Sequence, residues 1–157
     1  MVPNWMYNRP IAHRGYFNEK APENSLAAFQ NAIDHGYAIE MDVQLLKDGT
    51  IIVFHDKHLK RMTGFDKDLK EVTYEEIKHL KLLDTDEGIP TFRSFLEFID
   101  GRVPIVIEFK NESTSNLLEE KGYDILRSYR GDYVIQSFNP LSIYWFKSWG
   151  RTDKHHN

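Results

Sequence analysis

Residues 38–45 read Ala38-Ile39-Glu40-Met41-Asp42-Val43-Gln44-Leu45, and this octet decides the fold class. Strict alternation marks a strand with two unlike faces, because successive side chains point to opposite sides. Ile39, Met41, Val43 and Leu45 share one face; Glu40, Asp42 and Gln44 share the other. Carboxylates are costly to bury unpaired, so the second face needs partners from elsewhere in the chain.

Downstream, Asp48-Gly49 is a turn signal, and Ile51 to His55 is a second strand that ends at His55-Asp56. A hairpin about Asp48-Gly49 sets Asp42 opposite His55. A fully parallel barrel leaves both near one rim instead, and the spacing is compatible with either. Lys57 to Lys70 is polar and reads as an excursion from the sheet. Upstream, Ile11 to His13 ends a short strand. A helix follows, with Asn24 or Ser25 as N-cap, Leu26, Phe29 and Ile33 on one face, and Gly36 as its stop.

Further along, Thr73-x-x-Glu76 is a capping box that predicts a helix to about Leu82. Thr91 caps a helix carrying Phe95, Leu96 and Ile99, stopped near Gly101. Pro104 to Lys110 is a strand, with Ile105, Ile107 and Phe109 opposite Val106, Glu108 and Lys110. Asn116-x-x-Glu119 resembles another capping box, before a helix reaching Tyr129. Tyr133 to Ser137 is a fifth strand, Leu141 to Trp149 a last helix, and Arg151 to Asn157 a polar tail. Strand alternating with helix predicts an α/β fold with a mostly parallel sheet. In a barrel the apolar faces meet the helices. The charged strand ends then gather at the C-terminal rim, where such barrels carry their chemistry.

The 157 residues amount to about one domain, taken as a single unit over 1–157. There is no cysteine, which excludes disulfides and cysteine-ligated zinc. Lysine and arginine total 20 against 24 aspartates and glutamates, a net charge of -4 with no basic stripe, so no nucleic-acid partner is expected. A hydrophobic content of 41% argues against disorder. No apolar stretch approaches the ~20 residues of a membrane span, and Met1 to Pro10 has no apolar core of a secretory signal. The expectation is a soluble, cytoplasmic domain.

Three carboxylates fall at strand ends on inward faces: Glu40, Asp42 and Glu108. Like charges raise one another's pKa, and a divalent cation resolves the repulsion. All-oxygen ligation suits Ca²⁺ or Mg²⁺ rather than Zn²⁺. Each carboxylate alone is an ordinary strand residue or a salt-bridge partner of Lys110 or Arg14; three together point to a metal. His13 and His55 each end a strand beside a charged group, Arg14 and Asp56. Singly they read as structural; as a pair near one rim they suit acid–base work near neutral pH. Arg14 and Lys110 either balance charge or clamp phosphate oxygens. His35, His58, His79, His155 and His156 read as surface residues, and Tyr144, Trp145, Phe146 and Trp149 as helix packing.

These residues fall in an ordered set of motifs. The set begins Ile11-Ala12-His13-Arg14-Gly15, Ala21-Pro22-Glu23-Asn24-Ser25-Leu26-Ala27-Ala28-Phe29, and Ile39 to Leu45. It continues through Asp48-Gly49, Val53-Phe54-His55-Asp56, Leu59-x-Arg61-x-Thr63-Gly64 and Ile89-Pro90-Thr91-Phe92. It closes with Ile107-Glu108-Phe109-Lys110 and Gln136-Ser137-Phe138-Asn139-Pro140. The set resembles the glycerophosphodiester phosphodiesterases over roughly residues 10 to 146. The resemblance implies a TIM-type barrel with a small insertion after the third strand, about residues 57–88. It implies Ca²⁺ or Mg²⁺ held by Glu40, Asp42 and Glu108, with His13 and His55 as the acid–base pair. Arg14 and Lys110 would bind phosphate, and Glu23 would support the first-strand loop or the ligand. The reaction would be hydrolysis of a small-molecule glycerophosphodiester to an alcohol and glycerol 3-phosphate.

A complete barrel of this kind has eight strands in ~250 residues, whereas about five are recognisable here. The resemblance therefore implies a C-terminally short, open barrel. Open edges and exposed interior favour a homo-oligomer, or a tail packed over the edge. The alternative to an enzyme is a truncated, weakly active or inactive relative. It would bind metal or phosphodiester, or act through association.

Overall fold

The alternating octet forms the central strand of a five-stranded sheet in the computed structural model, which describes residues 2–149. The strands are Ile11–His13 (β1), Ala38–Leu45 (β2), Ile51–Val53 (β3), Ile105–Phe109 (β4) and Tyr133–Gln136 (β5). The order is β1-β2-β4-β5, all parallel, with β3 antiparallel to β2. This is an open α/β sheet of the barrel type, with helices on the apolar face. The helices are Trp5–Asn8 (α1), Leu26–Asp34 (α2), Lys60–Thr63 (α3), Tyr74–Ile77 (α4), Phe92–Ile99 (α5), Leu117–Leu126 (α6) and Pro140–Trp149 (α7). Among the described residues no helix is long and apolar enough to cross a membrane.

The hairpin reading of the Asp48-Gly49 turn holds, with one change of register. A two-residue turn would set Asp42 opposite His55. Leu46 N–H instead donates to Thr50 O at 2.8 Å, so three residues, Lys47 to Gly49, make the turn. Val43 then pairs with Val53, and Phe54 N–H donates to Asp42 O at 3.0 Å. The third turn residue moves the partner of Asp42 from His55 to Phe54.

β1 and β3 lie end to end on one edge of β2, because β4 occupies the other edge over the whole overlap. They run toward each other. β1 delivers His13 beside Glu40, and β3 returns so that His55 lies just beyond the Asp42 position.

The apolar face forms the main core. Ile39, Met41, Val43, Ile105, Ile107 and Phe109 meet Phe29 of α2 and Phe92 and Phe95 of α5. Full burial of one such side chain is worth ~1.5–3 kcal/mol. Ser25 caps α2 by accepting from Ala28 N–H at 3.1 Å. Thr91 caps α5 in the same way, from Ser94 N–H at 3.0 Å.

The excursion after β3 is not merely polar. Its sparse apolar residues, among them Leu59, Met62 and Leu69, join Val72, Ile77, Leu82 and Ile89 in a second cluster around Ile52 and Phe54. The Thr73–Glu76 capping box forms, but the helix it opens lasts one turn rather than reaching Leu82. Leu82 N–H bonds instead to Glu87 O, and the chain turns to bury Leu82 in the second cluster. The Asn116–Glu119 box does not form. Glu119 is buried and accepts from Asn111 Nδ2 and Ser142 Oγ, so its carboxylate is unavailable as a cap.

In α7, Phe146 packs on Phe109 with ring centroids 4.9 Å apart and Trp145 on Tyr123 at 5.9 Å, while Tyr144 is exposed. His35 and His79 are exposed and His58 is half-exposed. The Trp149 side chain, His155 and His156 lie outside the described residues.

Candidate active site

The charged faces of β1, β2, β4 and β5 make one surface on the side opposite the main core. Register places His13 beside Glu40, Asp42 beside Glu108, and Glu108 beside Gln136. Glu40, Asp42 and Glu108 are all buried. Each is held by its own partners. Arg14 N–H donates to Glu40 Oε1 at 3.2 Å, and His13 Nε2 lies 3.7 Å from the same oxygen. Asn24 Nδ2 donates to Asp42 Oδ2 at 3.1 Å, and Lys110 Nζ lies 3.9 Å from Asp42 Oδ1. Gln136 Nε2 donates to Glu108 Oε1 at 3.1 Å.

The electrostatics follow from this packing. Burial, reinforced by the charges of Asp42 and Glu108, pushes the Glu40 carboxyl up to about 7 against the opposing Arg14 N–H. Burial also raises Glu108, with Asp42 adding to the rise and Lys110 opposing it. Lys110 and Arg14 offset the three buried carboxylates only in part, because Glu40 and Glu108 are still raised, and hard oxygen donors of this kind suit Ca²⁺ or Mg²⁺. As placed, however, no three histidine or acidic side chains among the described residues form a set that holds one ion. The donor chemistry fits a dication; the side-chain positions are those of residues bonded to their own neighbours.

Two further features concern residues that lie within the quoted motifs but were given no such part by the sequence. Arg14 and Asn24 both adopt left-handed backbone conformations, at φ 59 and φ 56. Asn24 N–H donates to Arg14 O at 2.9 Å, which ties together the two ends of the loop between β1 and α2. Such conformations are strained for residues other than glycine and recur at functional sites. Gly15, next to Arg14, is obligatory: a Cβ there would lie 2.9 Å from Ala28 Cβ, at φ +83. The second feature is Arg61 of α3, which bonds both Asp56 and Glu23. Asp56 in turn takes His55 Nδ1 at 2.9 Å, and Glu23 takes Arg14 Nη1 at 3.1 Å. A continuous chain of bonds thus runs from His55 through Asp56, Arg61, Glu23 and Arg14 to Glu40.

Hydrogen bonds from Arg61 lower Asp56 to about 2. Burial alone would raise Glu23, but the hydrogen bonds and charges of Arg61 and Arg14 outweigh it and lower the carboxyl. A cleft of about 760 Å³ opens beside this network, lined by Gln44, His55, Glu108, Lys110, Ser137 and Phe138 among others. His13 does not line it; its side chain is 66% exposed on the far side of Glu40. Of the eight expected site residues, His55, Glu108 and Lys110 are on the cleft wall; His13, Arg14, Glu23, Glu40 and Asp42 are joined to one another or to Lys110 by the contacts above but do not line it.

The sequence profile of the glycerophosphoryl diester phosphodiesterase family matches residues 13–147. A glycerophosphodiester phosphodiesterase of Caldanaerobacter subterraneus is 37% identical over 144 residues, covering 85% of this chain and 59% of that relative. A phosphodiesterase of Oleispira antarctica, solved in complex with the product sn-glycerol-3-phosphate, superposes with a TM-score of 0.82. It is 27% identical, and the match covers 92% of this chain and 64% of that one. A glycerophosphodiester phosphodiesterase from Thermotoga maritima is 33% identical with a TM-score of 0.73, over 88% of this chain and 57% of that one. The chain thus spans about three-fifths of the length of the relatives it matches.

Proposed function

This chain belongs to the glycerophosphoryl diester phosphodiesterase family, and from that premise we propose that it hydrolyses small-molecule glycerophosphodiesters to an alcohol and glycerol 3-phosphate. The observation that carries the reading is the buried trio Glu40, Asp42 and Glu108 beside two strand-end histidines. Glu40, Asp42 and Glu108 would hold a divalent cation, Ca²⁺ or Mg²⁺. Asp42 and Glu108 are register partners on strands ~4.8 Å apart, and Glu40 lies two residues before Asp42 on the same face. When bound, the cation would neutralise charge developing on the phosphate.

Arg14 and Lys110 would bind phosphate oxygens. In support, Arg14 Nε is buried with no acceptor, a donor left for a ligand. Asp56, accepting from His55 Nδ1–H, would fix the tautomer and leave Nε2 to take a proton from the attacking water, or from a substrate hydroxyl whose phosphate product water then opens. His13, beside Glu40, would give a proton to the leaving alkoxide. Glu23 would act through Arg14 and Arg61 rather than on the substrate.

A second reading is a weakly active relative that binds cation or phosphodiester. The exposure of His13 favours it, because water weakens electrostatic stabilisation. The test is glycerol 3-phosphate release from glycerophosphocholine with Ca²⁺, with Mg²⁺ and with EDTA. Release that needs a cation supports hydrolysis; cation binding without release supports the second reading.

A further inference from the structure

Asn24 is almost wholly enclosed, at 2% exposed, yet its Oδ1 has no hydrogen-bond donor. Its amide orientation is settled by Asp42: a carboxylate oxygen takes only a donor, so the Nδ2 group faces Oδ2 at 3.1 Å. The carbonyl oxygen is then the unfilled half of a side chain already bonded to the carboxylate cluster. An unpaired buried carbonyl costs free energy unless something fills it. The backbone holds Asn24 there at φ 56, locked by its bond to Arg14 O. The backbone is thus held by Arg14 and the side chain by its bond to Asp42.

We propose that Asn24 Oδ1 is a fourth protein oxygen for the cation held by Glu40, Asp42 and Glu108. This rests on the cation reading of the preceding subsection. Amide carbonyls are ordinary ligands of hard cations. A neutral oxygen also raises the ligand count without adding to the repulsion among three carboxylates. One residue then does two jobs: Nδ2 aims Asp42, and Oδ1 completes the oxygen set.

The two jobs separate by substitution, with Ca²⁺ affinity read by calorimetry on the full chain and folding by circular dichroism. Asn24→Gly tolerates the left-handed backbone and removes both groups; Ca²⁺ affinity falls at least tenfold. Asn24→Asp keeps an oxygen but loses the donor to Asp42. If Oδ1 is a ligand, Asn24→Asp binds Ca²⁺ at least as tightly as the unaltered chain. If Asn24 only aims Asp42, Asn24→Asp loses as much affinity as Asn24→Gly, and the proposal is overturned. Unchanged affinity in Asn24→Gly also overturns it. Asp42→Asn is the separate control: if the unaltered chain binds Ca²⁺ and Asp42→Asn binds equally well, the cation reading itself has failed.

Discussion

His55 is oriented by Asp56, and Asp56 is kept charged by Arg61. His55→Ala should lower turnover ~10²–10⁴-fold, the usual worth of general acid–base catalysis, while calorimetry finds cation affinity unchanged. Loss of affinity as well would make His55 part of the cation site. Asp56 carries a pH consequence. Its folded pKa is lowered from the usual 3.8 to about 2, so the folded state keeps the charge longer than the unfolded chain. That stabilisation is present above pH ~4 and lost as pH falls toward 2. The side chain is partly exposed, so the contribution is under ~2 kcal/mol after screening. Asp56→Asn should therefore be less stable than the unaltered chain at pH 6 and equal to it near pH 2, by thermal unfolding. An equal deficit at both pH values would assign its role to packing rather than charge. His13 ends β1 and Glu108 lies one residue from the end of β4, as expected, whereas Glu40 and Asp42, expected at a strand end, fall inside β2 because that strand runs on to Leu45 to pair with β3. The bonding roles of Asn24 and Arg61, both inside quoted motifs, were not legible, because their partners Asp42 and Glu23 lie 18 and 38 residues away and no periodicity marks a loop that folds back.

At the scale of elements, the alternation of β2 was legible because one face packs on helices and the other, though also buried, carries the polar residues Glu40, Asp42 and Gln44. The hairpin register was not legible. A two-residue and a three-residue turn share the same Asp-Gly signal, and backbone bonding chooses between them. The failed box at Asn116 has a similar cause: a distant serine and asparagine claim Glu119. The close approach of α6 to β4 yields a prediction. A Cβ on Gly122 would lie 2.5 Å from Phe109 Cε2. That ring cannot give way easily, being fully buried and packed edge-on to Phe92 and Phe146. Gly122→Ala gains about 1 kcal/mol of helix propensity but overpacks by ~1–3 kcal/mol. We expect a lower urea midpoint. A higher one would mean that α6 shifts without cost.

Across the molecule, among the described residues, the sheet pairs β1 only with β2 and β5 only with β4, leaving an outer edge on each. Phe138, just past β5, is 91% exposed, and Leu141 is exposed beside it. Unpaired edges with apolar neighbours associate. Light scattering should show apparent mass rising with concentration; a constant monomer mass would show these edges to be inert. The barrel class was legible from alternating strand and helix signals, whereas the second apolar cluster was hidden because its members are scattered singly through a polar stretch. That cluster bears on how the protein opens. β3 sends Ile51 and Val53 into the main core and Ile52 and Phe54 into the second cluster. Its amides at Val53 and Phe54 are bonded to Pro90 and Asp42, on opposite sides. Neither cluster can then fray by itself, and these two amides should exchange with deuterium only through global unfolding, at the rate of the β2 core. His55 follows directly on that seam, so on heating the site and the tertiary structure should vanish in a single cooperative step.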